Sequence, residues 1–318
     1  MSLKAKILEI ISPSAYMKLL TSAKEECRVI PVDATWYLPN LPYNGKDQYL
    51  NEKRLPAAAY FDLDTIAQTT SPYPHMFPTY SVLLKAFNDL GFRKSDTLVF
   101  YDKSGVFSGP RAAWTASLFG HPKIYFMDNY QEYEAQGYPI STNKVTSTDV
   151  KTGDRALAYE QPNEDLFNEA YRDQIIEFED LLNLVQKDKM KDNYITFDAR
   201  SYDRFTGRAP EPRPGLPSGS IPHANSLPFG DVLTPSKSFK SRDELLNLFK
   251  EKFGIDFTKE NPTDGKGIIV MCGSGTTAVI LLFALKVVIQ TEVPVRVYDG
   301  SWSEWAARAP SDCISKTV

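Results

Sequence analysis

The two halves of this 318-residue chain contain the same series of short segments. Four segments of the first half recur in the second half, displaced by about 165 to 171 residues each time. In chain order, the pairs are 32–37 with 197–202, 55–58 with 221–224, 98–102 with 268–272, and 126–129 with 297–300. A displacement that stays nearly constant over four segments predicts two consecutive copies of one fold.

Each half alternates short apolar runs with longer stretches of helical periodicity, such as 80–90 and 242–253. This alternation predicts βαβ units, in which parallel strands form a sheet that helices cover. We therefore expect an α/β protein of two homologous domains, each a mainly parallel sheet flanked by helices. The polar segment 141–173 is predicted to be the linker between a first domain over 1–140 and a second over 174–318.

A cysteine of the second half lies where a predicted strand turns into a predicted helix. The apolar run 268–271 precedes Cys272, and helical periodicity begins at Thr276. Gly273 and Gly275 allow the backbone to curl around the sulfur, and the start of a helix supplies N–H groups and a positive dipole. Because these groups stabilise an anion, the loop is predicted to hold a thiolate or a sulfur-bound anion.

Two other interpretations of this loop stay open at this point. A single cysteine beside glycines is commonly a small apolar core residue. The loop could also bind a phosphate, although the Lys-Ser/Thr ending of a nucleotide-binding loop is absent. The repeat favours catalysis, because the first-half counterpart of Cys272 is Asp102, whose carboxylate cannot carry transferable sulfur. One active site is therefore expected, in the second half.

The composition excludes several classes of function. The 42% hydrophobic and 24% charged residues are typical of a globular protein, and a net charge of −4 does not favour direct nucleic-acid binding. The apolar stretch 268–289 is about as long as a membrane span. Glycines and threonines interrupt it after residue 272, so we interpret it as a strand, a loop and a helix, and expect no membrane segment.

Three cysteines at distant positions, Cys27, Cys272 and Cys313, form neither a zinc-binding spacing nor a disulfide framework. No metal site and no cofactor are predicted, and the usage indicates a reducing compartment. Residues 1–11 resemble neither a secretory signal nor a typical transit peptide. We expect a cytoplasmic location and leave a mitochondrial pool open. Cys27 is predicted to be a core residue and Cys313 an exposed incidental thiol, with a redox or relay role left open.

Several motifs along the chain are similar to those of one family. The loop 272–278, Cys-Gly-Ser-Gly-Thr-Thr-Ala, lacks the basic residues that commonly follow the cysteine of thiosulfate-specific enzymes. It resembles the active loop of tandem-rhodanese sulfurtransferases, in their 3-mercaptopyruvate branch, although Thr276 replaces the usual Val. Segment 298–305 resembles the closing signature of the catalytic domain, and 107–114 its counterpart in the inactive domain. Strings within 31–78 are most similar to fungal members, some of which supply sulfur for 2-thiouridine formation on transfer RNA.

This resemblance implies an enzyme that moves sulfane sulfur from a small-molecule donor to an acceptor. The implied donor is 3-mercaptopyruvate, with thiosulfate as the weaker alternative. The Cys272 thiolate would take the sulfur as a persulfide and pass it to a thiol, cyanide or a protein acceptor. Such a two-step covalent route predicts ping-pong kinetics.

The resemblance also implies roles for individual residues. Arg204 and Arg213 would bind the donor carboxylate, since a guanidinium matches a carboxylate in bidentate fashion. The alternative is a solvated loop with charges. The remaining residues of the implied substrate-binding loop are Gly273, Gly275, Thr276 and Thr277.

A proton carrier is implied as well, because pyruvate leaves as its enol form. Ser274 would work with Asp64 and His75 of the first half in this role. Asp64 could instead cap a helix over 65–67, and His75 could be a structural residue between prolines.

Two rival functions are less favoured by the sequence. A rhodanese-fold phosphatase would need an arginine six residues after the cysteine, where this chain has Ala278. A non-catalytic sulfur carrier or scaffold would have no need of Cys272 together with both arginines. The sequence predicts neither the physiological acceptor nor the oligomeric state.

Overall fold

The computed structural model describes residues 7–22, 27–147 and 158–316. The chain forms two compact units. Unit 1 comprises Met1–Thr70 and Phe77–Ala170, and unit 2 comprises Ser71–Met76 and Tyr171–Val318. The short segment Ser71–Met76 belongs to unit 2 although it lies in the first half of the sequence, a feature that the repeat gave no reason to expect.

Unit 1 is built on five strands. They are β1 (Ile7–Ile11), β2 (Val29–Asp33), β3 (Ala59–Tyr60), β4 (Thr97–Tyr101) and β5 (Lys123–Met127). The helices are α1 (Pro13–Ser22), α2 (Gly45–Asn51), α3 (Tyr80–Asp89), α4 (Gly109–Phe119), α5 (Tyr130–Ala135) and α6 (Glu164–Gln174), the last of which runs into unit 2. The strand order is β1-β5-β4-β2-β3, and every neighbouring pair is parallel. All five residues of β4 are buried, as expected for a central strand with helices on both faces.

Unit 2 repeats this plan. Its strands are β6 (Ile175–Ile176), β7 (Tyr194–Asp198), β8 (Ala224–Ser226), β9 (Gly267–Met271) and β10 (Val295–Tyr298). Its helices are α7 (Phe178–Gln186), α8 (Met190–Asn193), α9 (Tyr202–Thr206), α10 (Arg242–Phe253), α11 (Ala278–Phe283) and α12 (Ser301–Arg308), with 3-10 turns at Phe229–Val232 and Ser311–Cys313 and a π-helical stretch at Ala284–Ile289. The strand order is β6-β10-β9-β7-β8, again all parallel.

The two strand orders become identical when each strand of unit 1 is replaced by its counterpart in unit 2. Asp33 pairs with Tyr101 across β2 and β4, and Asp198 pairs with Met271 across β7 and β9. Ala57 and His223, which the repeat places at equivalent positions, both have left-handed backbone, with φ of 57° and 63°. The predicted fold class, two homologous α/β domains with parallel sheets, is confirmed.

The predicted boundaries at residues 140 and 174 remain a prediction. Part of the predicted linker, 148–157, lies outside the described residues. The last part of the linker, which is polar, forms most of α6. Phe167 on α6 is buried against the rings of Phe77, Tyr80 and Phe119 of unit 1. This packing stabilises a helix that the polar composition had concealed.

The apolar stretch 268–289 forms β9, the loop after it, α11 and the π-helical turns. Among the helices of the described ranges, none combines the length and the apolar content needed to cross a bilayer.

Two of the cysteine predictions need correction. Cys313 is 5% exposed and packs in a hydrophobic cluster with Trp305, so the predicted exposure is wrong. Burial, followed by the charge of Asp312, raises the pKa of the Cys313 thiol. Cys27 is only partly buried, where the sequence predicted a core residue.

Candidate active site

The cysteine loop lies at the carboxyl edge of the sheet in unit 2, directly after β9. Cys272 is 2% exposed and follows a strand whose last four residues are buried. The first turn of α12 holds the loop from the other side. The Trp302 N–H donates to the Cys272 carbonyl at 3.0 Å, and the N–H and Oγ of Ser303 donate to the Gly273 carbonyl at 2.9 and 2.6 Å. The position of the sulfur is therefore fixed by two elements that are distant in sequence.

Ser301 makes the most extensive contacts with this loop. Its Oγ accepts hydrogen bonds from the N–H groups of Cys272 and Gly275, each at 3.1 Å, and donates to the Tyr298 carbonyl at 2.8 Å. Its backbone is left-handed, with φ of 51°, which aims the short side chain under the loop. The sequence predicted that several N–H groups of the loop face the sulfur, without saying which. Two N–H groups of the loop bind Ser301 instead.

The counterpart loop in unit 1 contains an anion of its own. Asp102 follows β4, is fully buried, and accepts hydrogen bonds through Oδ2 from the N–H groups of Phe107, Ser108 and Gly109 at 3.0, 3.1 and 2.8 Å. Its Oδ1 accepts a fourth from the Ser104 N–H at 3.1 Å. Burial raises the pKa of Asp102 to about 7, while these N–H groups favour the charged form. This strand–loop–helix geometry thus forms a cradle for an anion.

The repeat predicts the same arrangement of N–H groups in the second loop. The positions that correspond to Ser104, Phe107 and Ser108 are Ser274, Thr277 and Ala278. Their N–H groups are therefore the ones expected to surround a thiolate or persulfide on Cys272. Gly275 adopts φ of 74°, which lets the backbone turn without a Cβ clash.

Arg204 and Arg213 lie next to the residue that follows Cys272. A Cβ on Gly273 would lie 3.0 Å from Nη2 of Arg204 and 4.0 Å from Nη1 of Arg213. Arg204 comes from α9, and Arg213 from the proline-rich stretch after it. Two guanidinium groups thus converge beside the cysteine loop, where a bound carboxylate would find bidentate donors.

A buried ion network supports Arg204. Glu211 binds Arg204 through Nη2 at 2.5 Å and Nε at 3.2 Å, and binds Nη1 of Arg200 at 2.8 Å. Arg200 also binds Asp198, the last residue of β7, and its guanidinium stacks on Trp302 with 4.2 Å to the ring centroid. Burial opposes the charge of Arg200, but Asp198 and Glu211 raise its pKa above the usual value. The network anchors Arg204 to the sheet.

His75 contacts the cysteine loop within unit 2. Its Nδ1 lies 3.1 Å from Ser274 Oγ and 3.3 Å from Thr276 Oγ1, and all three side chains are buried. The His75 backbone is left-handed, with φ of 59°, a conformation that is costly for a non-glycine residue and concentrates at functional sites. The structure brings His75 and Ser274 together, as their implied role requires.

Asp64 belongs to unit 1. Its carboxylate accepts a hydrogen bond from the Trp36 indole at 3.0 Å, and its N–H donates to Asp62 at 3.2 Å. The alternative role as a helix cap is wrong, because residues 62–70 form turns and no helix begins at residue 65. Its role beside His75 stays a prediction.

Sequence reasoning named the candidate nucleophile, the two arginines and the candidate proton carriers, and missed the residues that position them. These are Glu211, Arg200, Ser301 and Ser303. Each lies in a segment that the sequence singles out: Glu211 between Arg204 and Arg213, both serines in the segment 298–305, and Arg200 in the repeated segment 197–202. Within the described ranges, no group of three or more His, Cys, Asp or Glu side chains is placed to hold a metal ion.

The chain is similar to a known protein family and to several known proteins. A family model of the rhodanese-like domain matches residues 178–308. The chain is 39% identical over 314 residues to thiosulfate sulfurtransferase TUM1 of Saccharomyces cerevisiae, with 98% of each chain covered. The chain belongs to the tandem-rhodanese sulfurtransferases. It is also 34% identical over 288 residues to a probable 3-mercaptopyruvate sulfurtransferase of Schizosaccharomyces pombe, covering 90% of this chain and 89% of that one.

Solved structures support the same assignment. The crystal structure of Tum1 from Saccharomyces cerevisiae superposes with a TM-score of 0.84 at 37% identity, covering 98% of both chains. The family resemblance that the sequence motifs predicted is confirmed, and the chain is a sulfurtransferase of this family. Of these two relatives, one is named for thiosulfate as its donor and the other for 3-mercaptopyruvate.

Proposed function

We propose that this enzyme transfers sulfane sulfur from 3-mercaptopyruvate to a thiol through a persulfide on Cys272. The observation that carries the proposal is the convergence of Arg204 and Arg213 beside Gly273, the residue after the nucleophile. A keto acid bound through its carboxylate at these guanidinium groups would present its sulfur to Cys272. Thiosulfate is the second donor, used with lower efficiency.

The first half-reaction balances without any external reductant. The Cys272 thiolate attacks the donor sulfur, so the S–S bond of the persulfide forms and the C–S bond of mercaptopyruvate breaks. The electron pair of the C–S bond moves to the methylene carbon, which gives the pyruvate enolate. The proton from the donor thiol ends on that carbon, and pyruvate leaves. An acceptor thiolate then attacks the outer sulfur and restores the Cys272 thiolate.

His75 and Ser274 are proposed to carry the proton between the donor thiol and the enolate carbon. A hydroxyl at 3.1 Å from an imidazole nitrogen has the geometry of a general acid–base pair. Asp64 is proposed to take part in the same proton transfer, as the family resemblance implies. Gly273, Gly275, Thr276 and Thr277 are proposed to complete the loop that holds donor and persulfide.

The domain assignment is proposed on the same grounds. The first domain, 1–140, carries Asp102 at the cysteine position and would be inactive, whereas 174–318 would be catalytic.

The acceptor is proposed to be a low-molecular-weight thiol, cyanide or a protein cysteine, and the product to feed 2-thiouridine formation on transfer RNA. A cytoplasmic location with a mitochondrial pool is proposed as well. The mitochondrial pool has support from the 33% identity of this chain to the sub-stoichiometric sulfur transferase subunit of yeast mitochondrial complex I. Cells that lack the protein should lose 2-thiouridine, and a Cys272→Ser copy should not restore it. Normal thiolation in such cells would remove this pathway from the proposal.

The direct test of the proposal is the mass of cysteine peptides after incubation with each donor. The Cys272 peptide should gain about 32 Da, one sulfur atom, faster with mercaptopyruvate than with thiosulfate. The Cys27 and Cys313 peptides provide internal controls and should gain nothing. Release of pyruvate in proportion to the mass gain would link both events. A protein that binds sulfur from a donor persulfide but never releases pyruvate would be a carrier, and the proposal would be wrong.

A further inference from the structure

We infer that Thr276 is a positioning residue of the proton-carrying site. Its hydroxyl shares the imidazole of His75 with the hydroxyl of Ser274. The inference rests on the proposed function and concerns one position at which this chain departs from the usual Val of its branch. The Oγ1 of Thr276 lies 3.3 Å from Nδ1 of His75, close to the 3.1 Å that separates the same nitrogen from Ser274 Oγ.

Two hydroxyl groups therefore compete for one ring nitrogen. An imidazole nitrogen offers a single in-plane position, so Nδ1 either accepts from one hydroxyl at a time or divides one N–H between both. Thr276 is 2% exposed, Ser274 5% and His75 5%, which leaves little solvent to replace either hydroxyl. The hydroxyl that is not bound to Nδ1 becomes available to a bound donor.

The backbone around this pair is fixed before any donor binds. The Gly275 N–H is held by Ser301, and the Thr276 carbonyl accepts from the Val279 N–H in the first turn of α11. β-branching restricts the χ1 angle of Thr276, so its hydroxyl has few positions to choose from. The left-handed backbone of His75 sets the imidazole from the other side.

This arrangement gives Thr276 a defined task in the first half-reaction. When Ser274 Oγ turns toward the donor thiol or the enolate carbon, the Thr276 hydroxyl keeps Nδ1 hydrogen-bonded. A buried nitrogen without a partner would be costly, and that cost would be added to the barrier. The effect falls on the proton-transfer step, so it should lower kcat and leave KM for the donor unchanged.

Thiosulfate offers a matched control reaction for this role. Its S–S bond breaks with the electron pair on sulfite, and no carbon has to be protonated. A residue that serves the proton carrier should therefore matter more for mercaptopyruvate than for thiosulfate, whereas a residue that only supports the loop should matter equally for both.

The test uses the full chain with Thr276→Val, Thr276→Ser, Ser274→Ala and the double variant Ser274→Ala/Thr276→Val. Val has nearly the shape of Thr and lacks the hydroxyl, and Ser restores the hydroxyl without the methyl. With mercaptopyruvate and a thiol acceptor, Thr276→Val should lower kcat about 10-fold at unchanged KM, less than the roughly 100-fold or more expected for losing a general acid or base outright. Thr276→Ser should recover most of the rate, and in Thr276→Val the loss of turnover with thiosulfate should be clearly smaller than the loss with mercaptopyruvate.

The double variant measures whether the hydroxyls share one nitrogen. If they do, its loss relative to Ser274→Ala should exceed the roughly 10-fold loss of Thr276→Val alone, because no hydroxyl then reaches Nδ1 of His75, whereas independent hydroxyls would give losses that simply multiply. The inference is wrong if Thr276→Val keeps the wild-type kcat with mercaptopyruvate, or if it loses both donors equally and Ser does not rescue it. A wild-type enzyme that releases no pyruvate would instead overturn the proposed function, a result that the variants cannot mimic.

Discussion

At the scale of single residues, the lack of a side chain on Gly273 leaves the space in which two arginine guanidinium groups lie. Gly273 has no left-handed backbone that would demand glycine, so its value lies in the space it leaves. Arg204 and Arg213 extend into that space from a different part of the chain. Because an alanine Cβ would meet Nη2 of Arg204 at 3.0 Å, the small residue is needed for close approach of the guanidinium to the loop.

Gly273→Ala should therefore displace Arg204 while the fold survives. We expect KM for mercaptopyruvate to rise about 10-fold, the cost of weakening one charge-assisted hydrogen bond. Gly230→Ala is the matched control, since a Cβ there has no neighbour within 4 Å. Steady-state kinetics with varied donor would measure the change, and an unaltered KM in Gly273→Ala would show that Arg204 does not bind the donor.

Removing either arginine should discriminate between the two donors. Arg204→Ala and Arg213→Ala should each lower kcat/KM for mercaptopyruvate by about 10- to 100-fold, since hydrogen bonds to charged groups contribute about 1.5–3 kcal/mol. The loss with thiosulfate should be smaller, because it has no planar carboxylate for bidentate pairing. Arg208→Ala is the control, as Arg208 stacks on the exposed ring of Tyr202. Equal losses for both donors would contradict the carboxylate assignment.

At the scale of elements, the site depends on the junction between the cysteine loop and the first turn of α12. The repeat, the strand 268–271 and the helical stretches 80–90 and 242–253 were predictable, because hydrophobic periodicity expresses burial directly. The tether between Ser301 and the loop was not predictable. It joins residues 26 and 29 positions apart, and no local pattern records which hydroxyl accepts from which N–H.

The same limit explains what else the sequence did not reveal. Glu211 reads as one acidic residue in a charged, proline-rich stretch, and only the folded chain shows it bridging Arg200 and Arg204. Cys313 lies near a polar end of the chain, yet the turn Ser311–Cys313 carries it into the cluster around Trp305. Cys272 and the two arginines could be proposed from the sequence because their residue types alone indicate chemistry. The residues that position them are of ordinary types, and their contacts appear only in the folded chain.

Ser301→Ala tests the importance of this junction. The substitution leaves two buried N–H groups without their acceptor, at a cost of about 1–3 kcal/mol each. We expect a clear loss of thermal stability and a fall in kcat of at least about 10-fold, because the loop no longer holds the sulfur in place. Ser303→Ala is the comparison, since its backbone N–H would still donate to the Gly273 carbonyl. Circular dichroism melts and pyruvate assays on both variants would settle the point, and equal effects would argue against a special role for Ser301.

At the scale of the whole molecule, the two copies of the fold place different groups in the same cradle of backbone N–H groups. In unit 1 the cradle is filled by the carboxylate of Asp102, which accepts four backbone hydrogen bonds. In unit 2 the equivalent position holds a thiol, whose anion would form during turnover. A carboxyl group held by backbone N–H groups suits a copy that supports structure, and a thiol suits the copy that we propose exchanges sulfur. The stability of unit 1 therefore depends on its own buried polar groups.

His121 is a buried group of unit 1 that links its stability to pH. It is fully buried, its Nε2 lies 3.0 Å from the Asp96 carbonyl, and its Nδ1 lies 2.8 Å from the Tyr159 hydroxyl. A carbonyl can only accept, so Nε2 carries the proton and Nδ1 accepts from Tyr159. Tyr159 in turn donates its N–H to Asn88 at 2.7 Å, which anchors the segment after residue 157 to α3.

Burial lowers the pKa of His121 from 6.5 to about 4, so this imidazole should destabilise unit 1 in acid, while Asp102, whose pKa burial raises to about 7, contributes in the opposite direction. Below pH 6.5 the unfolded chain binds a proton that the folded chain refuses, and stability therefore falls as the pH drops from about 6.5 toward 4. Between pH 7 and pH 5 this single group should remove about 2 kcal/mol. Urea unfolding of wild type and His121→Phe at both values would measure it, and the variant should show a smaller loss by about that amount. His223→Gln, at a half-exposed site, should keep the wild-type difference. If His121→Phe lost as much stability on acidification as wild type, the acid sensitivity would have to come from other groups.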